Sequence, residues 1–410
     1  MRRIIVITVC ALIAIGAKAQ EKYLGGDISM LPVYEQNKVA YKDKTGTTQS
    51  DVLQFFGNNG WNAERVRLFV DPYSGVEHDA TGVYQTLDYV KALGKRIKDH
   101  GQKFMLDFHY SDTWTDPGKH SLPKSWEGLT VEQLKTKIYE YTKECLTELK
   151  EAGATPDFIQ PGNEITTGML WPTGGINGHG DNSWANFAGY LGQAIKACKE
   201  VCPEAKIVIH TELHNAGLAV NFYAMLKTSY PSIQYDVMGL SYYPRFHGTV
   251  ADFEQNVIKK LEALNSDKEI MIVETGHGYK WAIGTGTTEY DLSEAGQQKF
   301  TSELITMLNK HESVTGLFWW YPEDNGKNVK YNNEYISWWN GALFDHDTGK
   351  PYAAFYELMN FRPDFVTGIE SVTKESGNTS VYSLDGQLMG NDLQALQKGI
   401  YIKNNKKVVR

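Results

Sequence analysis

Glu164 follows the segment Phe158 to Asn163, and Glu274 closes the segment Glu269 to Glu274, so each carboxylate stands at the end of a short strand-like run. A lone carboxylate at a strand end is commonly an ion-pair partner. Two that face one another across a cleft can flank a glycosidic bond: one protonates the leaving oxygen while the other, about 5–5.5 Å away, attacks the anomeric carbon with retention. The residue before Glu164 has a use in the same chemistry. The Asn163 amide can hydrogen-bond a sugar 2-hydroxyl, a contact that strengthens as the oxocarbenium-like transition state forms. Arg67 is expected to hydrogen-bond the nucleophile and keep it ionised, while Glu164 must hold its proton in the free enzyme. A purely structural ion pair within the fold would still set Arg67 beside Glu274.

Positioning these groups requires strands that end together. Eight short apolar segments alternate with longer amphipathic stretches: Leu24 to Ile28, Ala63 to Phe69, Lys103 to His109, Phe158 to Asn163, Lys206 to Thr211, Asp236 to Tyr242, Glu269 to Glu274 and Gly316 to Tyr321. Helical patterns lie between them, among them Gly82 to His100, Thr130 to Ala152, Trp184 to Val201, Ala251 to Leu264 and Glu294 to Glu312. Eight such units predict an α/β fold, a (β/α)8 TIM barrel, rather than an open doubly wound sheet. Barrel enzymes carry reactive side chains at the C-terminal strand ends, and almost every segment here ends in one: Asp27, Arg67, Asp107 and His109, Asn163 and Glu164, His210, Tyr242 and Tyr243, Glu274, Trp319 and Trp320. No Gly-x-Gly-x-x-Gly follows the first segment and no Gly-Lys-Ser/Thr phosphate loop occurs, which removes dinucleotide and nucleotide chemistry.

Composition narrows the substrate. The chain of 410 residues has a formal net charge of −8, which repels nucleic acid and anionic lipid and makes a neutral polysaccharide a better partner than a polyanionic one. Its 10 Trp and 24 Tyr suit stacking against the apolar faces of sugars, although large barrels also use such rings for packing. Arg2 and Arg3, the apolar run Ile4 to Gly16 and Ala17-Lys18-Ala19 have the form of a secretory leader, predicted to span 1–19, with lipid attachment at Cys10 a rival disfavoured by Val9. The apolar run is too short for a membrane span, and a secreted monomer is expected. Cys145, Cys198 and Cys202 remain after its removal, an odd number read as buried or free thiols, with at most one disulfide. The catalytic barrel is expected over 20–363. A small β-rich extension follows over 364–410, where Val381 to Gly386 and Gly399 to Ile402 alternate like a hairpin before a basic end; it resembles β-rich C-terminal sorting tails, and an accessory strand pair is the alternative.

The Asn-Glu at the fourth segment and the Glu at the seventh resemble the large clan of (β/α)8 retaining glycosidases. Within it, the strings GGDISMLP at 25–32, RVRLF at 65–69, LDFHYSDTWTDPGKH at 106–120, QPGNEITTGMLWP at 160–172, SYYPRFHGT at 241–249 and IVETGHGY at 272–279 resemble the arabinogalactan endo-β-1,4-galactanases, glycoside hydrolase family 53. That resemblance covers about residues 21–362 and implies Glu164 as acid/base and Glu274 as nucleophile. It also implies Asp27, Arg67, His109, Asn163, Tyr242 or Tyr243 and Trp320 around the sugar at the cleavage point, with Trp114 a wall of the cleft. Trp338 and Trp339 are read as packing residues. The implied substrate is β-1,4-galactan or its oligosaccharides. A mannanase or cellulase of the same clan and a non-catalytic polysaccharide-binding barrel are the alternatives.

One departure concerns metal. Some family members hold calcium in an Asp-x-Asp-x-His-x-Asn loop after the seventh strand, whereas 276–291 reads GHGYKWAIGTGTTEYD. Glu289 and Asp291 could offer oxygen atoms, but two loop carboxylates are commonly solvated, so no metal or other cofactor is expected.

Overall fold

The computed structural model describes residues 20–74, 82–213, 215–265, 267–280, 286–325, 330–331, 334–335, 341–366, 380–383, 388–390, 396, 400–403 and 406–409. The expected leader over 1–19, and Trp338 and Trp339, lie outside them. Eight parallel strands close a barrel: β1 (Tyr23–Asp27), β2 (Ala63–Leu68), β3 (Lys103–Phe108), β4 (Phe158–Pro161), β5 (Lys206–Glu212), β6 (Val237–Tyr242), β7 (Glu269–Thr275) and β8 (Val314–Trp320). Each pairs with the next in sequence, and β8 returns to β1 with Asp27 opposite Trp320. This is the (β/α)8 architecture.

The intervening helices are α1 (Val52–Asn58), α2 (Leu87–Asp99), α3 (Val131–Glu151), α4 (Trp184–Val201), α5 (Ala216–Ser229), α6 (Val250–Phe253, a π turn over Glu254–Ile258, then Lys259–Leu264), α7 (Glu294–Leu308) and α8 (Ala353–Glu357). Local sequence explains their limits. Thr86 caps α2 by accepting the Tyr89 N–H, Asp88 sits in its first turn and Arg96 and Lys98 in its last, and its buried Val90, Leu93 and Ile97 lie on one face. Thr130 and Gln133 form a reciprocal capping box at the start of α3.

Alternation along the strands divides the barrel interior into two levels. Tyr23, Ala63, Met105, Phe158, Val208, Val237, Met271, Val273 and Phe318 make one buried apolar cluster. Two residues further along the same strands, on the same face, come Arg65, Asp107, Gln160 and His210, and four along β6 comes Ser241; all are buried. The apolar level holds the barrel closed and the polar level lies at the C-terminal mouth. A side chain cannot be added everywhere in this packing: a Cβ on Gly25 would lie 1.7 Å from the Ala63 carbonyl oxygen.

The C-terminal segment forms a four-stranded antiparallel sheet in the order Leu388–Gly390, Val381–Tyr382, Ile400–Lys403, Lys406–Val409. The two alternating runs pair directly, Tyr382 opposite Ile402, and each gains a further strand outside it. Cys145, Cys198 and Cys202 are free, buried thiols. Among the described residues, no helix is long and apolar enough to cross a membrane.

Candidate active site

The residues at the barrel mouth are organised around Arg65. Its guanidinium is buried and pairs with three carboxylates: Nη1 lies 2.8 Å from Asp27 Oδ2 and 2.9 Å from Glu274 Oε1, and Nη2 lies 2.7 Å from Asp107 Oδ2. Nη2 also donates to Asn163 Oδ1 at 2.9 Å. Strand register makes this possible, because Asp27 stands directly opposite Arg65 on β1. Arg67, two residues further along the same face, pairs instead with Asp27 Oδ1 at 2.5 Å and donates to the Tyr321 hydroxyl at 3.1 Å. The expectation that Arg67 holds the nucleophile is therefore corrected: Arg65, one level deeper and long enough to rise to the strand end, makes that contact. Asp27 is saturated by the two arginines and by the Ser29 hydroxyl at 2.7 Å, so it acts beneath the sugar-facing surface rather than on it.

Glu274 is almost wholly buried, and its second oxygen accepts the Tyr243 hydroxyl at 3.2 Å. Tyr243 and Tyr242 point to opposite sides of β6. Tyr242 stacks on Phe253 with ring centroids 4.1 Å apart and donates to the Gly248 carbonyl, so it belongs to the packing behind the barrel and not to the site. Only Tyr243 of the two faces Glu274, as the alternation of a strand requires.

Glu164 lies partly open to the cleft in a left-handed backbone conformation (φ 46°, ψ 46°) that non-glycine residues seldom adopt. Its backbone N–H donates to His210 Nδ1 at 3.2 Å. The preceding Asn163 is fixed at both ends of its amide, accepting from Arg65 and donating to the Thr115 carbonyl at 2.7 Å. His109 is locked between Asp107, 3.2 Å from Nε2, and Thr115, whose N–H donates to Nδ1 at 3.1 Å.

The electrostatics of the two glutamates differ. Burial raises both carboxyls. At Glu274 the adjacent Arg65 pulls the other way, whereas at Glu164 the charge of Glu274 adds to the burial, with Glu212 and Asp116 acting in the same sense. Glu274 is thus the first of the pair to ionise and Glu164 the last to lose its proton. Burial opposes the charge on Asp107 as well, but Arg65 overcomes it and holds Asp107 below its ordinary range. His210 is pushed well down by burial and then by Arg65, and stays neutral.

Aromatic rings wall the mouth. The Arg67 guanidinium lies under Trp114 at 4.7 Å, Trp320 at 4.9 Å and Tyr321 at 4.9 Å from the ring centroids, and Trp114 and Trp320 are 5.9 Å apart. Both tryptophans are partly exposed, which leaves ring surface available to a ligand. Glu289 and Asp291 are exposed, and among the described residues no group of three or more His, Cys, Asp or Glu is placed to hold a metal ion.

The structure thus gathers Glu164, Glu274, Asn163, His109, Tyr243, Arg67, Asp27, Trp114 and Trp320 at one end of the barrel and leaves Tyr242 out. Sequence reasoning left out Arg65, Gln160, Ser241, Glu212 and His247, and noted Asp107 and His210 only as strand ends. Period-two alternation back from Arg67, and between Phe158 and Gln160, is the signal that would have found the first two. Glu212 and His247, 3.8 Å apart, meet only through the fold.

The sequence profile of glycosyl hydrolase family 53 matches residues 23–356. An arabinogalactan endo-β-1,4-galactanase of Thermothelomyces thermophilus is 31% identical, over 73% of this chain and 89% of its own. An endo-β-1,4-galactanase of Bacillus subtilis is 29% identical over 73% of this chain and 69% of its own. Among solved structures, the GH53 catalytic domain of Ignisphaera aggregans superposes with a TM-score of 0.75 at 31% identity, covering 84% of this chain and 97% of that one.

Proposed function

Because the chain belongs to glycosyl hydrolase family 53, we propose that this glycosidase is an arabinogalactan endo-β-1,4-galactanase, cutting internal β-1,4-galactosidic bonds by double displacement with Glu274 as nucleophile and Glu164 as acid/base. The observation that carries the division of roles is the unequal placing of cations. Arg65 stands 2.9 Å from Glu274, and no ion pair to Glu164 is found among the described residues.

In the first step Glu274 attacks the anomeric carbon while Glu164 gives its proton to the departing oxygen, leaving a galactosyl ester on Glu274. Arg65, at Oε1, and the Tyr243 hydroxyl, at Oε2, hold the carboxylate before attack. In the second step ionised Glu164 takes a proton from water, which attacks the same carbon from the face the leaving group vacated, and Glu274 is released. Asn163, with its Oδ1 occupied by Arg65 and its Nδ2 on a backbone carbonyl, presents the amide in one fixed orientation for the sugar 2-hydroxyl. Trp320 supplies a face for the sugar at the cleavage point and Trp114 the wall beside it.

The choice of galactan rests on the relatives from Thermothelomyces thermophilus and Bacillus subtilis that are named for it. Internal cleavage is favoured by the long connections at the mouth, 112–126 and 171–184, which border an open groove more readily than they close a pocket. The leader-like run at 1–19 assigns the chain to export, and its catalysis requires no cofactor. Reducing-sugar release from β-1,4-galactan, mannan, cellulose and xylan tests the reading. Activity on galactan alone, with tri- and tetrasaccharides early, is expected; inert galactan, or galactose as the sole early product, would overturn it.

A further inference from the structure

We propose that Phe246 is the platform for the leaving sugar: its exposed ring stacks on the galactose at the reducing side of the bond being cut. The inference rests on the galactanase reading and assigns a residue to the half of the cleft opposite Trp320 and Trp114.

The order of the strands divides the mouth. Glu164 follows β4 and Glu274 lies at the end of β7, so a line between them leaves β8, β1, β2 and β3 on one side and β5 and β6 on the other. Trp320 at the end of β8, Arg67 on β2 and Trp114 after β3 are in mutual contact and belong to the first side, where the cleavage-point sugar is placed. The bond held between the two carboxyls joins that sugar to the next one in the chain. The leaving sugar therefore falls on the second side, over the ends of β5 and β6.

Phe246 stands there. It belongs to the short helical turn Pro244–His247 that follows β6 directly, and its N–H donates to the Tyr243 carbonyl at 3.0 Å. Its ring centroid is 6.5 Å from that of Tyr243, at an interplanar angle of 74°, and the Tyr243 hydroxyl is the one that donates to Glu274. The side chain is 44% exposed. A single exposed apolar side chain is ordinary on a protein surface, so exposure alone assigns nothing. The neighbours make the difference. His247 lies 6.2 Å from Phe246 between ring centroids, and its Nδ1 accepts the Tyr243 N–H at 3.0 Å, so the ring hydrogen is on Nε2. That nitrogen is 3.8 Å from Glu212 Oε2 at the end of β5, too far for a direct hydrogen bond. One sugar hydroxyl can accept from the first and donate to the second. Glu212 is held against the turn that carries Glu164, its N–H donating to Thr166 Oγ1 at 3.0 Å. A flat apolar face beside a donor and an acceptor, between the acid/base and the partner of the nucleophile, is the combination a pyranose ring requires.

The test compares two substrates in wild type and Phe246→Ala. Galactotetraose can place sugar on both sides of the cut bond, whereas β-galactobiosyl fluoride loses only fluoride and puts no sugar over β5 and β6. The alanine variant is expected to lose about fivefold more kcat/KM on galactotetraose than on the fluoride. Phe246→Trp, which keeps a flat ring, is expected to stay near wild type on both substrates, and Phe246→Leu, which keeps apolar bulk without a flat face, to follow alanine. Equal losses on the two substrates, no loss on galactotetraose, or a leucine variant as good as wild type would overturn the platform. These failures are separable from failure of the galactanase reading. A wild type that spares galactotetraose and cuts mannan or cellulose oligosaccharides rejects that reading, and the same pair of substrates built from that sugar then decides Phe246.

Discussion

Arg65 Nη1 lies 2.9 Å from Glu274 Oε1, while the same guanidinium reaches Asp27 at 2.8 Å and Asp107 at 2.7 Å. One buried cation thus serves three carboxylates, so its loss would leave uncompensated charge at the centre of the mouth. The nucleophile gains both a fixed direction and a reason to stay ionised.

Arg65→Lys keeps the charge but not the fork that spans three partners. A charge-assisted hydrogen bond is worth about 1.5–3 kcal/mol, so kcat/KM is expected to fall by at least about tenfold. The sign of the pH effect follows from the same contact. Burial already raises the Glu274 carboxyl, to about 7, against the pull of Arg65; weakening that pull raises it further, so the acid limb of the pH profile moves to higher pH. Arg67→Lys, whose carboxylate partner is Asp27, is expected to move the limb less. The reverse order in the two profiles would contradict the assignment of Arg65.

Trp320→Ala removes a partly exposed ring that covers Arg67 at 4.9 Å. Stacking lost at the cleavage-point sugar is worth roughly 1 kcal/mol or more, a fall in kcat/KM of about fivefold or greater. Steady-state kinetics on galactotetraose give the figure, and wild-type kcat/KM would make this ring a packing residue only.

Two acids outside the reaction should govern stability. Glu64 and Glu323 are fully buried; each accepts one backbone N–H, from Gly26 and Met30, and each has one oxygen without a hydrogen bond. Burial raises both well above the ordinary carboxyl range. A raised folded-state value means that the unfolded chain ionises first as pH rises, so stability is full below the unfolded carboxyl value of about 4.3 and is lost on rising through the window above it. Glu64→Gln, a neutral isostere, is expected to raise Tm at pH 8 by more than at pH 5. Equal gains at both pH values, or a loss confined to pH 8, would contradict neutral burial.

Much of this was legible in the sequence because a barrel strand announces itself twice, by an apolar run and by the polar residue that ends it. Glu164, Glu274, Asn163 and His109 all stand at such ends. What the sequence could not settle was depth. Arg65 and Arg67 share a face of β2, and the choice between them as partner of Glu274 depends on strand register and on the reach of the longer path, quantities that appear only once Asp27 is set opposite Arg65. Tyr242 and Tyr243 are adjacent, and which of them faces inward depends on the phase of β6, fixed by Ser241 and Gly239 pointing into the barrel. Glu64 is fully buried, and nothing in the residues around it betrays that its carboxyl is sealed from water.

The division of labour between the two glutamates is tested most directly by azide rescue. Azide can stand in for the nucleophile of a Glu274→Gly variant, or for the water of a Glu164→Ala variant, on an aryl β-1,4-galactooligosaccharide with a good leaving group. If Glu274 is the nucleophile, azide in its place attacks once and gives the α-galactosyl azide. If Glu164 is the acid/base, azide in the second variant attacks the ester on Glu274 and gives the β-galactosyl azide. Those two configurations, read by proton NMR, are the predicted result; β-azide from the Glu274 variant and α-azide from the Glu164 variant would exchange the roles and contradict the account built on Arg65.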